Sequence, residues 1–144
     1  MHAWQATCLA EVVVGQHSET LGSALSIFLE LQVKEEDTHL SITAIGPYTQ
    51  SALRAFLDGA KAEAEKRGAR RVLLDLSQVS GAVSVVDMLV LAEHFMRIWC
   101  RSTKTAMVSW EGGIDTFFEN VAYNRGYLAA VVPNRQAGIE WLKT

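Results

Sequence analysis

Val72-Leu73-Leu74-Asp75-Leu76-Ser77, followed by Gln78-Val79-Ser80-Gly81-Ala82-Val83-Ser84-Val85-Val86-Asp87, is the stretch that decides how this chain folds. Its first part, led by Arg71, is a short and nearly continuous apolar run. Such a run marks a strand covered on both faces, as in a parallel sheet. The second part carries Ser77, Ser80, Gly81 and Ser84 and almost no charge before it enters Val85, Val86 and Leu89. Serine and glycine close turns and cap helices. Residues 77–86 are therefore read as a loop joining the buried strand, 71–76, to a helix over 84–101.

Working outward, the same alternation continues in both directions. On the N-terminal side, Leu29-Glu30-Leu31-Gln32-Val33 alternates apolar and polar, and Leu40, Ile42 and Ala44 do so again after the turn residues Glu36-Asp37-Thr38. This is a hairpin with one buried face. Gly46-Pro47 is expected to break it, because proline removes a ladder donor. A helix follows from Thr49 or Gln50 to Arg67, with Leu53, Phe56, Leu57, Ala60 and Ala64 on one face and Gly68 as its C-cap. Glu63 and Arg67, four residues apart, support its exposed side.

On the C-terminal side, 105–110 is a strand and 114–124 a helix. Residues 128–132 form a last strand, stopped by Pro133, and Asn134 caps a final helix. The order β-β-α-β-α-β-α-β-α places crossover helices between parallel strands, with one antiparallel hairpin at the start. The predicted class is α/β: a mostly parallel central sheet flanked by helices, in one domain over 29–144. Residues 1–28 show no sustained period and are read as an N-terminal extension.

Composition narrows the function. The 144 residues carry a formal net charge of −3, with 49% hydrophobic and 20% charged residues. No excess of cations exists to neutralise phosphates, so nucleic acid is not an expected partner. The densest basic group, Lys66, Arg67, Arg70 and Arg71, lies at a helix end, where cations complement the dipole. The longest apolar stretches fall short of a membrane span. The two cysteines, Cys8 and Cys100, suggest neither a disulfide framework nor a metal site. A cytoplasmic protein is the expectation.

With that order and those lengths, residues 29–143 resemble the STAS domain, the fold of bacterial anti-sigma-factor antagonists and of sulfate-transporter tails. The strand 72–77 is similar to the family's apolar-run-Asp-Leu-Ser signature. Gln136-Ala137-Gly138-Ile139-Glu140-Trp141-Leu142 resembles its closing helix, especially in the bacterial STAS/Sec14-like branch. In the antagonists, the loop after this strand carries Asp-Ser-Ser/Thr-Gly-Leu, and a partner kinase phosphorylates the serine after the aspartate. Laid on this chain, that pattern puts Val83 at the aspartate and Ser84 at the phosphoacceptor. Val85 and Val86 fall where the second hydroxyl and the glycine stand, so only the serine is retained.

Candidate residues follow from both readings. Ser84 sits at a helix N-cap position, with Asp87 favourable in the first turn, and is also the phosphoacceptor that the resemblance implies. Ser77, Ser80, Gly81, Val83, Ser84 and Asp87 form the expected partner or ligand loop. Asp75 is read as structural, binding amides of that loop. His94 beside Glu93 is read as part of a solvated face, and Cys100 as a small core or boundary residue. Phe117 and Phe118 are adjacent, so one of them is expected to be partly exposed.

No nucleophile, base and orienter can be named together, so an enzyme is not expected and no metal or cofactor is implied. The resemblance implies a regulatory interaction module whose partner is a serine kinase or anti-sigma factor. The alternative is a module for a small apolar ligand or lipid, favoured by the valine-rich, nearly uncharged loop. Homo-oligomerisation is left open.

Overall fold

A computed structural model describes residues 28–144. Apart from Phe28, the predicted extension lies outside the described residues. The elements are β1 (Glu30–Glu35), β2 (Leu40–Pro47), α1 (Gln50–Lys66), β3 (Arg71–Ser80), α2 (Val85–Ile98), β4 (Lys104–Val108), α3 (Thr116–Asn124), β5 (Ala129–Val132) and α4 (Arg135–Lys143). The five strands lie in sequence order, β1-β2-β3-β4-β5. β1 pairs antiparallel with β2, and every later pairing is parallel. This is the expected α/β order.

The sheet is covered on both faces. Ile42, Val72, Leu74, Leu76 and Met107 join Leu53, Phe56 and Leu57 of α1, Leu91 and Phe95 of α2, and Phe118 of α3 in the main core. On the opposite face Leu73, Ala106 and Val108 pack against Leu142 of α4. Alternate residues of β3 thus serve two cores, which is why its sequence is an unbroken apolar run. α1 begins at the cap Thr49, whose side chain accepts from the Ala52 amide, and it ends with Gly68 at φ +65°. Arg67 Nε bonds Glu63 Oε1 at 3.1 Å on its exposed side.

Gly46-Pro47 ends the hairpin as expected: pairing with β1 stops at Ile45, although both residues still pair with β3 before β2 ends at Pro47. One strand boundary differs: β3 runs to Ser80 rather than Leu76. Thr43 pairs with Asp75, but Ile45 pairs with Gln78, so β3 carries one extra residue at this point. Such a bulge flips the side-chain alternation. Val79 rather than Gln78 then turns to the core, where it is 4% exposed. Ser77 and Ser80, expected in the loop, are therefore strand residues. The loop itself is only 81–84.

Candidate functional site

The parallel strands β2, β3 and β4 all end at the same edge of the sheet, and the chain leaving each one meets the others there. The Tyr48 amide donates to the Ser80 carbonyl at 2.7 Å. Trp110 Nε1 donates to the Gly81 carbonyl at 2.7 Å, and the Val83 amide donates to the Gly112 carbonyl at 2.9 Å. Tyr48 and Trp110 lie with ring centroids 6.2 Å apart. Gly81 has φ +111° beside them, and a Cβ there would lie 3.5 Å from Tyr48 Cβ. Its place in the sequence is set by backbone conformation.

Beyond this loop, Ser84 caps α2. Its Oγ accepts from the Asp87 amide at 3.0 Å. Asp87 is the third residue of the helix, where an acid commonly folds back onto the cap. Here the carboxylate turns outward instead: Tyr48 Oη donates to Oδ2 and Gln50 Nε2 to Oδ1, each at 2.8 Å. Burial, and then the bond to Asp87, push the Tyr48 phenol well above its ordinary value. Tyr48 thus remains a neutral donor, and Asp87 ties the start of α1 to the start of α2.

That tie leaves an apolar surface facing outward. Val85 is 69% exposed, Val86 70% and Leu89 41%. On the neighbouring helix α3, Phe117 is exposed while Phe118 is buried, so the adjacent phenylalanines divide as expected. The loop expected from the sequence is thus partly assembled. Gly81, Val83, Ser84 and Asp87 come together, whereas Ser77 belongs elsewhere and Ser80 ends β3. Tyr48, Gln50 and Trp110 complete the site and carried no signal of their own. Their position just past strand ends was the available clue, since α/β sheets gather their sites at the carboxyl ends of strands.

Ser77 belongs to a separate network on the α4 face. The buried Asp75 carboxylate accepts from Ser77 Oγ at 2.6 Å and from the Ser77 amide at 3.0 Å. Arg135 Nη1 donates to its other oxygen at 2.9 Å, and Nη2 donates to Ser41 Oγ at 3.2 Å. Burial pushes the carboxyl up, but the two Ser77 bonds and Arg135 outweigh it and hold it below the usual carboxylate range. Asp75 is thus structural and accepts from an amide of the expected segment, but Ser77 is a strand residue, so the tie anchors α4 and the bulge.

His94 departs from expectation. It is buried between helices, with Nε2 2.8 Å from Asp58 Oδ1 of α1, while Glu93 beside it is exposed. The packing of α1 on α2 decides this. Cys100 lies half-buried just past α2, its Sγ 3.1 Å from Ser102 Oγ.

Two clefts among the described residues hold about 280 and 360 Å³. The first lies between the β1–β2 turn and the α1–β3 connection, and the second between the ends of α2 and α3. Charged side chains line much of both, and neither includes the loop at 81–84. No helix among the described residues is long and apolar enough to cross a membrane.

An anti-sigma factor antagonist from Mycobacterium paratuberculosis has a similar structure, with TM-score 0.55, over 81% of this chain and 95% of that one at 13% identity. The fold is STAS-like. An uncharacterized protein with a SpoIIAA-like fold from Shewanella loihica also matches, with TM-score 0.49, over 80% and 94% of the two chains at 13% identity. No family model and no curated protein matches the chain. On this STAS-like frame, hydrogen bonds tie the loop at 81–84 and the first turn of α2 to the chain leaving β2 and β4.

Proposed function

We propose that this chain is a non-catalytic regulatory module that binds another protein through residues 81–84 and the first turns of α2. The observation that carries this reading is the exposure of Val85 and Val86, 69% and 70%, on a helix start that is itself clamped in place. Covering one such side chain contributes roughly 1.5–3 kcal/mol, and a preorganised surface loses little entropy when it docks. The STAS-like fold supports the reading, because a solved protein of similar structure is an anti-sigma factor antagonist. The partner in this reading is a serine kinase or anti-sigma factor, as the resemblance in sequence implies.

Ser84 is the candidate phosphoacceptor within this surface. A phosphate there would add nearly two negative charges beside two valines and occupy the oxygen that caps α2. An apolar contact would then be opposed by the charge, which suits a switch. The small-ligand alternative has less support from the two clefts described above, which charged groups line in large part.

The test is affinity capture from the source organism's lysate with the full chain and with a Val85→Asp, Val86→Asp variant of equal thermal stability. A protein retained by the first and lost by the second is expected. Equal capture by both would sink the proposed surface. Intact-mass measurement of the co-expressed chain and kinase, with Ser84→Ala alongside, tests the phosphoacceptor separately.

A further inference from the structure

The chain enters β1 at the same end of the sheet as the candidate site. Glu30 pairs with Ile45 near the end of β2, and a Cβ on Gly46 would lie 3.8 Å from the Phe28 carbonyl oxygen. Residues 1–27 therefore join the described chain close to Tyr48, whose hydroxyl holds the first turn of α2. From that turn α2 runs back along the sheet, and Cys100 lies just past its far end. Val85, Val86 and Leu89 stand exposed on this helix, an apolar patch of the kind that marks a contact surface.

The far end of α2 supplies a second anchor. Against the expectation from cysteine spacing, Cys100 is disulfide-bonded. The chain's other cysteine is Cys8, in the N-terminal segment. Pairing of the two would hold residues 9–27 between opposite ends of α2. Those nineteen residues reach roughly 60 Å when extended. The fourteen residues of α2 span about 21 Å, so the length suffices. Composition fits as well. Leu9, Val12, Val13, Val14, Leu21 and Leu25 supply apolar side chains, and the segment carries Glu11 and Glu19 with no Lys or Arg. At the Cys100 end of α2, the exposed Arg97 and Arg101 outnumber the exposed Glu93, which suits the arrival of Glu11, three residues from Cys8.

We propose that residues 9–27 of this chain lie along α2 and cover Val85, Val86 and Leu89 while Cys8 is bonded to Cys100, and that reduction releases them. Formation of the bond takes a proton from each thiol and two electrons from the pair. A disulfide oxidant such as oxidised glutathione accepts both and leaves as two thiols. Held at both ends, the segment meets the helix intramolecularly, so weak apolar contacts suffice to keep it there. That this cover opposes a protein partner rests on the function proposed above; the cover itself does not.

The experiment uses the full chain incubated with oxidised glutathione, with and without later reduction by dithiothreitol. Mass-spectrometric peptide mapping of the oxidised sample should find Cys8 joined to Cys100, in protein that migrates as a single chain on a non-reducing denaturing gel. Methyl NMR with a gadolinium chelate as solvent probe should then find weak relaxation enhancement at Val85, Val86 and Leu89. On reduction it should rise to the level of the Cys8→Ser chain. Ile139, half-buried on the α4 face, should keep its value throughout and report an intact fold. Two free thiols in the oxidised sample, or a Cys100–Cys100 link between copies, would overturn the proposal. So would Val85, Val86 and Leu89 methyls that are equally accessible in both states. No partner enters these measurements, so their failure leaves the capture result for Val85 and Val86 standing, and the reverse.

Discussion

Tyr48 Oη donates to Asp87 Oδ2 at 2.8 Å across 39 residues of sequence, joining the chain that leaves β2 to the first turn of α2. Gln50 doubles the tie at 2.8 Å. Asp87→Ala removes the acceptor from both and leaves two half-buried donors unmatched. A loss of about 1–3 kcal/mol is expected, as for a charged hydrogen bond. Tyr48→Phe should cost less, since Gln50 remains. Hydrogen exchange should rise first in residues 84–88, ahead of the core of β3, because the tie acts on the helix start. Uniform exchange gain across the sheet would contradict this local role.

Ser84 has a smaller, separable contribution. Ser84→Ala removes the oxygen that accepts from the Asp87 amide at 3.0 Å. About 1 kcal/mol of stability should be lost, whereas Ser84→Asp, which retains a capping oxygen, should lose a few tenths at most. Urea unfolding of the three proteins measures the difference. If Ser84→Asp is the less stable of the two variants, the cap is not what Ser84 supplies. The comparison also prepares the phosphorylation test, since it separates the effect of charge from loss of the cap.

How much of this was legible depended on the range of the interactions. The run 72–76 announced a two-sided strand because both cores are built from its consecutive residues. The bulge was not legible: Ser77 and Gln78 are polar because both face away from the main core after the alternation flips, and in the sequence that looks like the end of a strand. Ser84 was found as a cap because capping is local. Trp110 was missed because its partner, Gly81, lies 29 residues away and nothing near either residue signals the contact. His94 was misjudged for the same reason, its setting being decided by Asp58, 36 residues earlier.

Gly138 gives a packing prediction. A Cβ on this residue of α4 would lie 2.7 Å from Leu73 Cδ1 and 3.3 Å from Val132 Cγ2. Both are side chains of the sheet face that α4 covers, so α4 sits close enough to need a glycine within the helix. In isolation alanine would favour the helix, but here overpacking outweighs it. Gly138→Ala should cost about 1–3 kcal/mol. Calorimetry should find a lower Tm, and the drop caused by Gly138→Ala should be smaller when measured in a Leu73→Ala background. A Tm raised by Gly138→Ala alone would mean that α4 has room to move outward freely.

Asp75 governs the response to acid. Its carboxylate is buried, bonded twice by Ser77 and once by Arg135, and its folded value lies below the ordinary one despite the opposing effect of burial. As pH falls, the unfolded chain therefore takes up this proton first. The contribution of Asp75 is fully present above the unfolded value of about 4 and is lost as pH falls through the folded one. Asp75→Asn should lower stability at pH 7 by about 1–3 kcal/mol. The lower part of the range for breaking a buried pair applies because the Arg135 side chain is 41% exposed and regains water. Between pH 5 and pH 2, urea unfolding should find the stability of the parent chain falling toward that of Asp75→Asn. Parallel curves across that window would mean that some other carboxylate carries the acid sensitivity.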